Sequence, residues 1–323
     1  MVFINVENVS KEYKIYRAEE KITGKFKSLF KREYFKKVAV DNLNFKIDEG
    51  ESVGYIGMNG AGKSTTIKML SGVLTPSKGN ISVGGIIPYK NRRENAFQMG
   101  VIYGQRSRLV WDLPFMDTFK LYKNIYDIED KKYYENLEWY SSILGLNDFS
   151  DRPVRMLSLG EKMRANIALA LLHDPKVVYL DEPTIGLDIV AKSRMRDLIK
   201  KINSERNVTV ILTSHDMEDI EKVCNRIILI HKGLIIFDGS AEEIKCRYGN
   251  KYKIVFESSE REVEKEVDFS IIREHNNNYI YEGDKQRVPI DKALNMIVAS
   301  VKDISSIKII EMSMEDIVMN IVK

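Results

Sequence analysis

Cysteine is nearly absent from this chain, with two in 323 residues, Cys224 and Cys246. A pair of this kind builds no disulfide framework and fits a reducing compartment, where both read as small core residues. An excess of charge of one sign is missing as well. Fifty Lys and Arg against 47 Asp and Glu leave a net +3, too even for a chain whose main task is gripping nucleic acid. No apolar run approaches the ~20 residues that a bilayer-crossing helix needs. The start, Met1-Val2-Phe3-Ile4-Asn5-Val6-Glu7, brings an acid early and has no cationic stretch, so no secretory leader is expected. Internal repeats and sustained heptads are also lacking, which excludes solenoids and long coiled coils. What remains is length for about two domains with a sizeable buried core. A role at a membrane would have to come through a partner.

Strand-like and helix-like stretches alternate, the pattern of an α/β fold. Short runs rich in β-branched residues recur at Val53–Ile56, Val177–Leu180, Val208–Thr213 and Arg226–Ile230. Between Gln105 and Pro153 the character changes to aromatic and acidic residues at helical spacing (Phe119, Tyr122, Tyr126, Tyr133, Tyr134, Leu137, Tyr140, Leu144), which predicts a helical insertion into the sheet. After Tyr248-Gly249-Asn250 a new pattern begins. Strands are expected at Lys253–Phe256, Tyr279–Tyr281 and Ile304–Ile310, and helices at Ile290–Val301 and Met314–Val322. Residues 250–323 thus read as a small separate α+β domain behind a first domain over 1–245.

Gly57-Met58-Asn59-Gly60-Ala61-Gly62-Lys63-Ser64-Thr65 completes the pattern G-x-x-x-x-G-K-[ST]. The apolar run before it reads as a buried strand and Thr66–Leu70 after it as a helix. Glycines let backbone N–H groups curl inward, and the helix adds its positive N-terminus. Lys63 is then expected on the β/γ-phosphates and the Ser64 hydroxyl on Mg²⁺. A chance glycine-rich turn would not fill every fixed position in this context, so a nucleoside triphosphate is the predicted ligand. Val177-Val178-Tyr179-Leu180-Asp181-Glu182 is an apolar strand ending in two carboxylates. It would deliver Asp181 beside the metal and Glu182 to the water that attacks the γ-phosphate. Asp188 follows shortly, and His215 follows the next strand, so these groups collect at strand ends, where open α/β sheets bind ligands.

With these motifs in this order, residues 1–240 resemble the nucleotide-binding domain of ATP-binding cassette (ABC) transporters. The resemblance implies a P-loop core of the ABC type with an inserted helical subdomain over about 106–158, ATP and Mg²⁺ as ligands, and ATP hydrolysis as the activity. Gln105, in Val101-Ile102-Tyr103-Gly104-Gln105, matches the family's Q-loop glutamine, which contacts Mg²⁺ and senses the transporter. Leu157-Ser158-Leu159-Gly160-Glu161 matches its signature motif, Asp188 its D-loop, His215 its switch histidine and Tyr13 the aromatic that stacks on adenine. Leu159 and Glu161 depart from the usual Leu-Ser-Gly-Gly-Gln, while the Ser158 hydroxyl and the Gly160 N–H, which meet the γ-phosphate across the family's dimer, survive. The implied partners are a second copy of the chain and a separate transmembrane permease, with the chain peripheral on the cytoplasmic face of the membrane and no nucleic acid bound. A lone cassette ending in Glu311-Met312-Ser313-Met314-Glu315-Asp316-Ile317 is similar to the ATPase subunits of bacterial exporters for drugs, lipids or polysaccharides. An importer ATPase with a regulatory C-terminal domain is the alternative. A soluble ABC ATPase acting on ribosomes or DNA fits less well with one cassette, no heptads and balanced charge.

Two segments stay open. Around residues 20–38, Phe26, Leu29, Phe30 and Tyr34 fall on one helical face ringed by Lys25, Lys27, Lys31, Arg32 and Lys36. Such a basic amphipathic helix would lie on anionic lipid or an acidic partner, or dock its aromatics on its own domain. Trp111-Asp112-Leu113-Pro114-Phe115 sits where the family receives the permease, and reads either as that apolar cleft or as core of the helical subdomain.

Overall fold

The computed structural model describes residues 1–16, 34–104, 107–258, 271–273, 278–301 and 303–322. They form two compact units, Met1–Asp238 and Gly239–Lys323.

The first unit is built on two sheets. β1 (Val2–Tyr16), β2 (Tyr34–Asp48) and β4 (Lys78–Val83) form an antiparallel sheet in the order β2-β1-β4. β3 (Ser52–Ile56), β5 (Met99–Tyr103), β6 (Val177–Asp181), β7 (Thr209–Thr213), β8 (Arg226–His231) and β9 (Leu234–Gly239) form the second, in the order β5-β6-β7-β3-β8-β9. β5, β6, β7, β3 and β8 run parallel. Strands covered on both faces need continuous apolar sequence, and β3 and β7 are buried at every position. This is the α/β core expected from the alternating pattern, with the parallel P-loop sheet that the resemblance implies. One buried cluster joins Ile4, Leu43 and Ile81 of the antiparallel sheet to Val53, Tyr179 and Ile228 of the parallel one, with Ile67 and Leu70 from α1 (Lys63–Leu70) among them.

Helices cover the parallel strands. α2 (Arg92–Gln98) leads into β5. α3 (Phe115–Ile125), α4 (Asp130–Leu144) and α5 (Leu159–Leu171) form the helical insertion. Its core is aromatic: Phe115 packs on Phe119 and Phe149 with ring centroids 5.2 and 5.4 Å apart, and Tyr133 and Tyr140 are buried beside them. The stretch Trp111–Phe115 therefore divides residue by residue. Phe115 is core, whereas Trp111 and Leu113 are exposed, with the Lys162 ammonium 4.7 Å from the Trp111 ring. α6 (Ile189–Arg206) and α7 (Met217–Val223) flank β7.

The second unit begins with α8 (Ala241–Tyr248), whose Ile244 is fully buried. β10 (Lys251–Ser258), β11 (Ile271–Arg273), β12 (Asn278–Asp284) and β13 (Ile304–Glu311) form an antiparallel sheet in the order β11-β12-β10-β13. α9 (Ile290–Ser300) buries Ala293 and Ile297 against Tyr252, Ile254 and Phe256, and α10 (Met314–Val322) closes the chain. The unit boundary precedes α8, so residues 239–245 group with the C-terminal unit, ahead of the break expected near 250.

Most of the basic segment around 20–38 lies outside the described residues. Its end does not continue a helix: Tyr34–Val38 belong to β2, where Tyr34 opposes Tyr16 and Lys37 opposes Tyr13. Pairing with β1 supplies backbone hydrogen bonds that outweigh the helical spacing of the side chains.

His173, just beyond α5, lies flat on the Tyr126 ring with centroids 4.0 Å apart, and its Nε2 is 3.1 Å from the Met99 carbonyl oxygen. Burial drives its pKa down from 6.5 to about 4. Between those values the unfolded chain binds a proton that the folded chain refuses, so stability rises with pH through this window. The contribution, on the order of 3 kcal/mol, is complete above the unfolded pKa and is lost as pH falls to the folded one. His173→Phe keeps the ring stack and removes the titration. Its urea midpoint should drop less than that of the wild type between neutral pH and about pH 4.5, and an equal drop would rule the histidine out as the cause.

Candidate nucleotide site

The phosphate loop runs from the end of β3 into α1 and is pressed against neighbouring backbone. A Cβ at Gly57 would stand 2.1 Å from the Ile230 carbonyl oxygen. Gly62 has φ +117°, and a Cβ there would stand 2.7 Å from the Ala39 carbonyl oxygen. Only glycine fits either position. Gly62 caps α1 without any side-chain hydrogen bond, which leaves the first N–H groups of the helix to an anion. Lys63 is buried, and its Nζ donates to the carbonyls of Gly57 at 2.6 Å and Met58 at 3.3 Å. Burial pulls its pKa down, opposed by the negative charges of Glu182 and Asp181.

Parallel pairing of β6 with β7 sets Asp181 opposite Thr213. Asp181 uses both carboxylate oxygens: Oδ2 accepts from Ser64 Oγ at 3.0 Å and Oδ1 from Thr213 Oγ1 at 2.7 Å. Glu182 follows in the left-handed region with φ +56°. Its N–H donates to the Thr213 carbonyl at 3.1 Å, which turns the side chain away from the strand axis. Glu182 Oε2 accepts from the His215 backbone N–H at 3.2 Å, and His215 Nε2 lies 3.2 Å from Oε1. Burial raises the pKa of Glu182, with His215 and Lys63 pulling it back and Asp181 pushing it further up.

These groups face a cavity of about 610 Å³. Tyr13, Asn59, Gly60, Gly62, Lys63, Ser64, Thr65, Asp181, Glu182 and His215 line it. Gly57 and Ala61 shape the loop from behind. Gln105 lies outside the described residues, though its neighbour Gly104 also lines the cavity and donates its N–H to the Asp181 carbonyl at 2.7 Å. Sequence reasoning missed several other contributors besides Gly104. Lys14 and Ile15 of β1 and Lys37 and Ala39 of β2 line the cavity, and Thr213 Oγ1 donates to the Asp181 carboxylate and accepts the Glu182 backbone N–H. Only the hydroxyl at the end of an apolar strand, next to a strand ending in Asp, could have signalled Thr213.

Ser158, Gly160 and Asp188 do not line the cavity. Ser158 caps α5, its Oγ accepting from the Glu161 N–H at 3.2 Å while Glu161 Oε2 accepts from the Ser158 N–H at 2.8 Å. Burial works against the Glu161 carboxylate, but the Ser158 hydrogen bonds and the paired Arg152 guanidinium hold its pKa below the usual range. The Ser158-x-x-Glu161 spacing is a capping-box signature, which accounts for Glu161 through its own helix. Asp188 caps α6, with Oδ1 accepting from the Ala191 N–H at 2.8 Å. A Cβ on Gly160 would touch Ala191 Cβ at 3.6 Å, so the signature and Asp188 adjoin on one surface.

The ABC transporter family model matches residues 40–185. The chain is 34% identical over 206 residues to the ABC transporter ATP-binding protein NatA of Bacillus subtilis, covering 64% of this chain and 83% of the relative. The chain belongs to the ABC transporter ATP-binding proteins. It is also 34% identical over 219 residues to the linearmycin resistance ATP-binding protein LnrL of Bacillus subtilis, covering 68% of this chain and 70% of LnrL. To the bacitracin transport ATP-binding protein BcrA of Bacillus licheniformis it is 33% identical over 228 residues, covering 71% and 72% of the two chains. A dimeric ATP-binding cassette solved in a post-hydrolysis state with ADP and Pi superposes with a TM-score of 0.61 at 23% identity, covering 73% of this chain and 98% of that one. At that identity the likeness shows the fold. As an ABC ATPase the chain binds and hydrolyses ATP. Among the described residues no helix is long and apolar enough to cross a membrane.

Proposed function

We propose that this ABC ATPase is the energy-coupling subunit of an exporter, working as two copies closed head to tail around two ATP molecules. The observation that carries the paired arrangement is the division of the motifs between two surfaces. The phosphate-loop side shares one cavity, whereas Ser158, Gly160 and Asp188 lie together elsewhere, capping α5 and α6. Each site is then complete only when the second copy brings its Ser158 hydroxyl and Gly160 N–H to the γ-phosphate.

Within one copy Lys63 holds the β/γ-phosphates and the α1 N-terminus receives the phosphate charge. Tyr13 stacks on adenine. Glu182 accepts a hydrogen bond from the attacking water and takes its proton, and His215 steadies the Glu182 carboxylate and the γ-phosphate. The Ser64 hydroxyl and the Asp181 carboxylate, 3.0 Å apart, are hard oxygen donors of the kind Mg²⁺ prefers. When bound there, Mg²⁺ neutralises phosphate charge, with Gln105 as a further ligand on the family pattern.

Export, and placement on the cytoplasmic face through a separate permease, rest on the likeness to LnrL and BcrA, whose names state resistance and transport. The basic segment around 20–38 extends the proposal to a contact with the permease or with anionic lipid. Reconstitution of the chain with its permease in vesicles tests the direction. Cargo supplied on the ATPase side should stimulate ATP hydrolysis and appear in the opposite compartment. Stimulation only by cargo delivered from the far side on a separate binding protein would overturn export.

A further inference from the structure

Asp219 is a carboxylate that the mechanism above leaves unused. It sits in the first turn of α7 with 1% of its surface exposed. Burying an ionised carboxylate is costly unless its oxygens are paired, and here each one is. Oδ1 accepts from Arg196 Nε on α6 at 2.5 Å. Oδ2 accepts from the Thr184 hydroxyl at 2.6 Å and from the Ser214 hydroxyl at 3.4 Å. Thr184 and Ser214 are themselves buried, at 3% and 2% exposure.

The sequence positions of these partners matter more than their number. Thr184 is two residues beyond Glu182, on the loop that leaves β6. Ser214 is one residue before His215, on the loop that leaves β7. The Glu182–His215 pair bridges those same two loops, with His215 N–H on Glu182 Oε2 at 3.2 Å. One carboxylate thus ties together the two segments whose spacing determines how Glu182 meets His215. An apolar trio of similar volume would hold the loops no less firmly in stability terms, but it would not fix their register to hydrogen-bond precision.

We propose that Asp219 is a positioning residue for hydrolysis, holding the loops of Glu182 and His215 in working register through Thr184 and Ser214. The inference rests on the roles given above to Glu182 and His215. Small misplacement of such groups lowers turnover by about 10²-fold while leaving ground-state binding in place.

The test uses the full chain and Thr184→Val, which removes the hydroxyl and keeps the volume. kcat should fall about 10–100-fold, with KM for ATP and affinity for a fluorescent ATP analogue within about twofold of wild type. Thr184→Ser restores the hydroxyl and should recover kcat to within about threefold. Should melting curves show Thr184→Val unfolded, Thr184→Ala carries the same expectation. A folded variant without the hydroxyl that hydrolyses ATP at the wild-type rate, or a Thr184→Ser that fails to recover, would overturn the proposal. In a Glu182→Gln background, Thr184→Val should lower the residual rate no further, because both act through one carboxylate. An additional tenfold loss would mean that Thr184 acts by another route and would also overturn it. Near-normal turnover in Glu182→Gln alone would bring down the base assignment instead, and this inference with it.

Discussion

Glu182→Gln should bind ATP as tightly as wild type and lose most of its turnover. General-base catalysis contributes ~10²–10⁴-fold, and the amide can neither take the proton of the attacking water nor carry the charge. The variant keeps a side chain able to accept the His215 N–H now on Glu182 Oε2, so the site keeps its shape. With hydrolysis blocked, the closed pair of copies should accumulate. Sizing chromatography in Mg-ATP is the measurement, with a dimer peak for Glu182→Gln that wild type shows only briefly. Hydrolysis near the wild-type rate would remove Glu182 from the role of base. A monomer peak despite bound ATP would leave the base in place and remove the head-to-tail pair.

Lys63→Ala should fail earlier, at binding. Lys63 is buried, points into the phosphate loop and lies in the field of Asp181 and Glu182. Truncating one partner of a desolvated charge contact costs about 2–5 kcal/mol, which places the loss of ATP affinity between about 30-fold and about 5,000-fold. The carbonyls of Gly57 and Met58 lose their donor as well, so the melting temperature should fall modestly. Titration with a fluorescent ATP analogue separates the two variants: Glu182→Gln saturates and Lys63→Ala does not. Saturation of Lys63→Ala at wild-type concentrations would show that the loop N–H groups and the α1 N-terminus alone hold the phosphates.

The phosphate loop was legible because its chemistry is contiguous, and the parallel strands because two-sided burial forces unbroken apolar runs such as Val177–Leu180. The C-terminal elements were legible for a related reason. Met314–Val322 is a short amphipathic helix that follows a serine cap, and both signals lie within ten residues. The antiparallel sheet was not legible. β1 breaks its alternation with register shifts between Val6 and Val9 and between Val9 and Lys11, and Asn8 and Asn42 adopt positive φ. Period-two reading fails wherever a bulge moves a side chain to the other face. Tyr34–Lys37 misled for the opposite reason: their spacing suits a helix face, while their conformation is set by β1, a partner remote in sequence. Lys37 and Thr213 reach the site through that kind of long-range pairing, which no local motif encodes. Glu161 shows the reverse failure. Its capping-box spacing with Ser158 is a local signal of the α5 start, although the family signature carries a glutamine at that position.

The left-handed backbone at Glu182 also restricts the evolutionary future of the site. At φ +56° a β-branched or bulky side chain meets its own backbone, so Val, Ile and Thr are poor replacements whatever happens to selection for activity. Asn, Asp and Gly tolerate that conformation, and unbranched Gln can follow Glu into it. A descendant cassette that gave up hydrolysis would therefore lose the charge long before the fold gave up the turn. Its sequence would carry Gln, Asn or Gly after the strand aspartate, and an inactive member of this lineage should be recognisable by that narrow set of uncharged residues.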